Sequence, residues 1–220
     1  SSCTRSTVRE VAQAIFEQYM PRFAGDILPQ QEIGRALSLA DKLDNLAATF
    51  LRGLIPTGSQ DPFALRRQTI GAVNILTDGK IHWDIRRGIE AALALLPGDE
   101  ETKKTVLSQI EDFFRQRIKA IMLDEGIAYD IIDAVLAGPV DDIYALFLKA
   151  RSMAESQLKD EAELRQAVTR LANITKGKTG GKVDPSLFAE DVEKKLQDAF
   201  EAVSDKALPL FASYEYGKAL

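Results

Sequence analysis

Asp41 and Asp44 stand where a helical period asks for apolar side chains. At about 100° per residue, Ile33, Ala36, Leu37, Ala40, Leu43, Ala47, Phe50 and Leu51 share one face of the segment Gln30–Leu54. Asp44 falls within that face and Asp41 lies at its edge. A carboxylate packed inward needs donors, because leaving it unpaired in a core is strongly unfavourable. Two chemistries fit: a ligand to a divalent ion, as in phosphohydrolases built on His/Asp sets, or a structural acceptor for an arginine or a helix start. His82 is the only histidine, which leaves a metal set short of donors. The structural role is therefore expected, with Asp44 buried, hydrogen-bonded and free of metal.

A second group follows Asp61. Arg67, Gly71 and Asn74 recur at i, i+4 and i+7 on one side of a helix, opposite Leu65, Thr69, Ala72, Val73 and Leu76. Arg66 flanks the apolar side, within reach of Asp41 or Asp44. A glycine between polar residues would leave backbone accessible beside a guanidinium, which suits a phosphate or a flipped base edge. The same spacing also fits an ordinary solvated helix. Asp61 is expected to cap this helix, with Pro62 at its first position.

Ala172–Thr179 satisfies a relaxed phosphate-loop pattern ending in Gly-Lys-Thr. That chemistry requires a strand before the loop and a helix immediately after it. A helical pattern precedes instead, and Gly180-Gly181-Lys182 follows. The stretch reads as a mobile basic loop whose Lys176, Lys178 and Lys182 could touch a phosphate backbone. His82-Trp83 precedes a helix start at Asp84 and fits either base stacking or a plug at the helix end. The i,i+4 pairs Glu111/Arg115 and Glu161/Arg165 need only a solvated face.

The elements that would position these residues are helices. The 220 residues include 28 Ala and 25 Leu against 10 Val, and no period-two alternation persists, so an all-α multi-helix bundle is expected. Helices are predicted over Thr7–Tyr19, Gln30–Leu54, Asp61–Thr77, Asp84–Leu96, Glu100–Glu125, Tyr129–Leu136, Asp141–Gln157, Glu161–Ile174 and Glu190–Leu208. Pro and Gly clusters punctuate them. The Pro56-Thr-Gly-Ser59 turn gives the best division, into helical subdomains 1–55 and 56–220. One cysteine, Cys3, excludes an internal disulfide and a multi-thiolate zinc site. No apolar run is long enough to span a bilayer. A cytoplasmic protein with no membrane partner is expected. The net charge of −5 argues against a wholly basic nucleic-acid clamp and leaves room for local patches.

Three runs carry a resemblance: Val11–Asp26 (VAQAIFEQYMPRFAGD), Leu39–Asp44 (LADKLD) and Pro56–Arg67 (PTGSQDPFALRR). In order and spacing over Val8–Leu76 they resemble the bacterial glycyl-tRNA synthetase beta subunit. Beyond Lys80 the likeness rests on helical character and on Arg170–Ile174. Asn74 departs from the family's usual arginine, and Asn45 and Ala48 from its usual Thr and Gly.

The resemblance implies a C-terminal fragment of a subunit that supports ATP-dependent charging of tRNA(Gly) with glycine. Residues 1–55 would close an HD-like helical domain. Residues 56–220 would form a helical anticodon-binding-like domain of the DALR type, truncated at its C-terminus. No catalytic residue and no cofactor is expected in this fragment, because ATP and magnesium belong to the alpha subunit. The partners implied are tRNA(Gly) and that alpha subunit, with no DNA. Two other classes remain: a metal phosphohydrolase of the HD type using Asp41 or Asp44, and a helical protein-interaction scaffold.

Overall fold

Caps and turns decide where each helix begins. Asp84 accepts the Arg87 N–H and Asp99 the Thr102 N–H, so α4 (Ile85–Ala94) and α5 (Glu100–Asp124) start as their acidic caps predict. The computed structural model describes residues 2–58, 60–156, 162–177, 180–181 and 183–219. Their regular elements are helices, with no strand among the described residues: α1 (Ser2–Glu17), α2 (Glu32–Leu51), α3 (Leu65–Asp78), α4, α5, α6 (Tyr129–Leu136), α7 (Ile143–Glu155), α8 (Ala162–Thr175), α9 (Asp191–Ala212) and α10 (Tyr216–Ala219).

Several boundaries differ from expectation, with α1 starting at Ser2 rather than Thr7, and two of them have a clear local cause. Pro62 does not open α3. Asp61 reaches forward across a turn, accepting the N–H groups of Leu65 (2.8 Å) and Arg66 (3.0 Å), while Ala64 takes a left-handed conformation (φ 53°). The carboxylate still satisfies the free donors, from one turn further away. In α9, Pro209 does not end the helix, which runs to Ala212 before Tyr214 turns left-handed (φ 61°). Its start is secured by reciprocal capping between Glu190 and Glu193.

By packing, the chain forms two compact units, Ser1–Phe147 and Leu148–Leu220, with the division inside α7. The Pro/Gly/Ser turn thus joins helices of one packed unit: α2 packs against α1, α3, α4 and α5. The core of this unit holds Leu46 and Phe50 of α2, Leu65 and Leu76 of α3, Ile89 of α4, and Ile110, Phe114 and Ile118 of α5. Phe50 meets Phe113 edge-on at 5.2 Å, and the Arg117 guanidinium lies 3.9 Å above the Phe113 ring. Arg115 does not depend on Glu111. Its guanidinium donates to the Leu136 and Gly138 carbonyls and closes the end of α6, while Glu111 pairs with Arg86 of α4. Glu161 lies outside the described residues.

In the second unit, Tyr216 is buried, with Phe211 and Tyr214 nearby and the Lys149 ammonium 5.4 Å from its ring. The apolar side chains Val192, Leu196, Phe200 and Val203 of α9 are exposed.

The buried face of α2 is rotated from the one its apolar residues trace. It comprises Gly34, Ser38, Leu39, Lys42, Leu43, Leu46, Ala47 and Phe50, whereas Ile33 and Leu37 are exposed. At this face the end of α1 lies directly on α2. A Cβ on Gly34 would come within 2.8 Å of the Glu17 Cβ. Gly34→Ala should therefore destabilise the chain by about 1–3 kcal/mol through overpacking, more than the ~1 kcal/mol of helix propensity it adds. Urea unfolding checks this; a variant as stable as the parent would show that the contact yields.

Candidate functional site

Lys42 is the one cation buried in the core among the described residues. Its Nζ donates to the Met20 carbonyl (2.8 Å) and to Ser38 Oγ (2.7 Å), and Ser38 Oγ donates to the same carbonyl (2.6 Å). Beside it, Glu17 accepts from Gln13 Nε2 (2.9 Å) and the Gln31 N–H (3.1 Å). Burial pushes the Glu17 carboxyl up, but its hydrogen bonds and the Arg35 charge outweigh that and leave it below its ordinary value. Burial lowers the Lys42 pKa to about 8, and the Asp41 charge only partly opposes the shift.

Over this network lies a polar cleft of about 470 Å3 between the α1–α2 connection, α2 and α3. Tyr19, Pro21, Arg22, Asp41, Lys42, Asn45, Ala64, Arg67 and Gln68 line it. Arg67 Nη1 donates to the Arg22 carbonyl (3.0 Å). The Arg22 guanidinium is held by Asp26 (2.9 and 3.3 Å), and those bonds with the Arg22 N–H bring the Asp26 pKa down to about 2. Asp41 accepts two long bonds, from Gln18 Nε2 (3.3 Å) and Asn45 Nδ2 (3.4 Å). Asn45 also donates to Gln68 (3.2 Å). Tyr19 stands at the lip, 66% exposed.

Of the residues singled out from sequence, Arg67 and Asp41 meet in this cleft. Gly71 does not offer an open groove. It is buried, and a Cβ there would lie 3.0 Å from Pro21 and 3.1 Å from the Lys42 stem. Its smallness admits the proline, not a ribose. Asn74 is half-buried and does not line the cleft. Arg66 pairs with neither Asp41 nor Asp44; its guanidinium donates to the Gly58 carbonyl (2.7 Å), because the Asp61 turn aims the start of α3 that way. Asp44 is exposed, with no hydrogen-bond partner among the described residues, since the rotation of α2 carries it out of the core. Lys176 is exposed just past the end of α8; Lys178 and Lys182 lie outside the described residues.

Asp44 instead edges an apolar groove of about 790 Å3 between α2 and α4, walled by Leu39, Leu43, Ile81, Trp83, Ala92 and Leu95. Trp83 lies against Gly88, where a Cβ would come within 2.9 Å of its ring, and so packs on the helix surface. The preceding His82 is exposed, with its Nδ1 2.8 Å from Asp142 and its ring 4.9 Å from Tyr144. Among the described residues, no three His, Cys, Asp or Glu side chains gather to hold a metal ion.

The residues of the cleft and of the network beneath it that the sequence did not single out are Glu17, Tyr19, Ser38 and Lys42. Gly34, Ser38 and Lys42 at i, i+4 and i+8 were the available signal, a small and polar stripe facing the chain that leaves α1.

The sequence profile described as "Glycyl-tRNA synthetase beta subunit" matches residues 4–137, a span that includes every residue of both the cleft and the groove. The chain belongs to the glycyl-tRNA synthetase beta subunit family. It is 44% identical over 211 residues to the glycine–tRNA ligase beta subunit of Clostridioides difficile, covering 96% of this chain and 31% of that protein. Against the namesake of Desulforamulus reducens the identity is 39% over 215 residues, again 96% and 31%. For Shouchella clausii it is 41% over 192 residues, 85% of this chain and 28% of the relative. The chain therefore spans less than a third of the length of these relatives. Arg67 and Asp41 fall inside the family match, while Lys176 falls outside it.

The lowered Lys42 pKa fixes the sign of one pH effect. Between about 8 and the ordinary 10.5 the unfolded chain binds more protons than the folded one, so folding gains stability as pH rises through that window. Below about 8 both states carry the proton and the burial penalty stays constant. Measured by urea unfolding against the non-titrating Lys42→Met, the parent should gain on the order of 1–3 kcal/mol from pH 8 to pH 10. A difference that stays flat or falls would show that the ammonium is not desolvated.

Proposed function

We propose that this chain is the tRNA-binding part of a glycine–tRNA ligase beta subunit, supporting the ATP-dependent charging of tRNA(Gly) by the alpha subunit. The family match over residues 4–137, with about 40% identity to beta subunits along nearly the whole chain, carries this reading. On it, residues 1–55 close the HD-like helical domain and residues 56–220 form the anticodon-binding-like domain. The protein works in the cytoplasm beside its alpha partner.

ATP and magnesium are assigned to the alpha chain. In support of this, the Ala172–Thr179 motif begins within the last turn of α8, where a phosphate loop needs a strand. This chain's own contribution is binding. Arg67 is the RNA contact favoured by its exposure and by its place in the cleft, with Lys176, Lys178 and Lys182 as further phosphate contacts. Arg66, tied to the Gly58 carbonyl, braces the turn before α3 instead.

One observation favours a second reading. The apolar groove between α2 and α4 suits a protein-interaction scaffold with no RNA role. Among the described residues, no arrangement of donors favours the phosphohydrolase.

A salt-dependent titration with tRNA(Gly) separates the two readings. The log of the parent's association constant should fall linearly with log salt, and Arg67→Ala should lower that slope by about 1. An absence of salt-dependent tRNA binding would reject the tRNA-binding reading and leave the scaffold.

A further inference from the structure

Building on the tRNA reading, we infer that the cleft between the α1–α2 connection, α2 and α3 holds one unpaired guanine of the RNA, stacked on Tyr19 and read at its pairing edge by Asp41. The charge arrangement limits what the cleft can take. Arg22 is neutralised by Asp26, and the Lys42 ammonium is committed to the Met20 carbonyl and Ser38. Arg67 spends one N–H on the Arg22 carbonyl and keeps the rest of its donor fork. One available guanidinium answers one phosphate. A duplex backbone needs a row of them.

The cleft volume of about 470 Å3 accommodates a single nucleotide, and its lining sets the polar side chains of Asp41, Asn45, Arg67 and Gln68 beside apolar surface from Tyr19, Pro21 and Ala64. At its mouth Tyr19 offers an exposed aromatic face, the sequence-tolerant platform on which a splayed base stacks. On the α2 wall, the two oxygens of Asp41 each accept one long hydrogen bond, 3.3 Å from Gln18 and 3.4 Å from Asn45, and retain lone pairs. A carboxylate therefore presents two adjacent acceptors to whatever enters. Guanine alone among the RNA bases presents two adjacent donors on its pairing edge, N1–H and N2–H. Adenine and cytosine set a ring acceptor beside their amine, and uracil flanks its N3–H with two carbonyls, so each places an acceptor against the carboxylate. Because the pairing edge is consumed, the guanine must be unpaired, in a loop or at an end.

The test uses the 220-residue chain and fluorescence anisotropy with labelled hexanucleotides, five uridines and one variable base, after the tRNA(Gly) titration. The parent should bind the guanine oligomer about tenfold more tightly than the adenine one. Inosine, which keeps N1–H and lacks the N2 amine, should fall between them. Asp41→Asn should remove the guanine preference. Tyr19→Ala should weaken binding of the guanine oligomer by at least about fivefold, and Tyr19→Phe should restore it, since the ring supplies the stack. Unchanged circular dichroism and melting temperature would establish that the variants fold. Equal affinity of the parent for guanine, inosine and adenine, or a guanine preference that survives Asp41→Asn, overturns this site while tRNA binding stands. A parent that fails to bind tRNA at all overturns the functional reading together with the site.

Discussion

The Met20 carbonyl oxygen takes two hydrogen bonds from α2, one from Ser38 and one from Lys42, at a point where the chain has just left α1 and cannot pair its backbone within a helix. A buried carbonyl without partners would cost about 1–3 kcal/mol, so the donors on α2 are obligatory at this spot. They also dictate how α2 lies. Ser38 and Lys42 must face inward, and with them come Gly34 one turn before and Leu46 one turn after. The close approach of Glu17 to Gly34, of Pro21 to Gly71, and the seating of α1 on α2 all follow from that register.

Bringing a lysine into a core is costly, and its lowered pKa reports that cost. Three features offset it here. The ammonium finds two oxygen acceptors, its aliphatic stem packs against Gly71, and Asp41 stands next to it in sequence. The same arrangement leaves Asp41 at the cleft wall, held by long bonds from Gln18 and Asn45 rather than by a strong partner. A carboxylate so placed is oriented yet retains acceptor capacity, which suits a group that waits for a donor from outside.

Much of this was legible in the sequence, and the exceptions share a cause. Helix existence followed from punctuation, and the inner face of α3, from Leu65 to Leu76, followed from its apolar period because that face packs on other carbon. On α2 the same method was right for Leu43, Ala47 and Phe50 but turned Ile33, Ala36, Leu37 and Ala40 inward, whereas they are exposed. Periodicity counts apolar residues, while the register was set by a carbonyl that needed polar donors, and nothing in a helical wheel represents a demand made by another segment. Asp44 was misplaced for this reason alone. Gly71 was read as an opening because its neighbour in space, Pro21, is far away in sequence; the contact exists only after α1, α2 and α3 have packed. Arg67 and Asp41 were singled out separately, and only the fold places them in one cleft.

The displaced apolar stripe acquires a use from this rotation. With Ser38 and Lys42 turned inward, Ala36, Ala40 and Leu43 help to wall the groove shared with α4, while Asp41 and Asn45 reach the polar cleft on another side of the same helix. One rigid element thus carries two surfaces of opposite character, and their separation is fixed by the helix geometry rather than by loops. Both surfaces therefore stand on the rotation of α2 that turns Ser38 and Lys42 inward and leaves Ile33 and Leu37 exposed. The buried lysine, bonded to the Met20 carbonyl and to Ser38, helps to hold the face of α2 from which both surfaces follow.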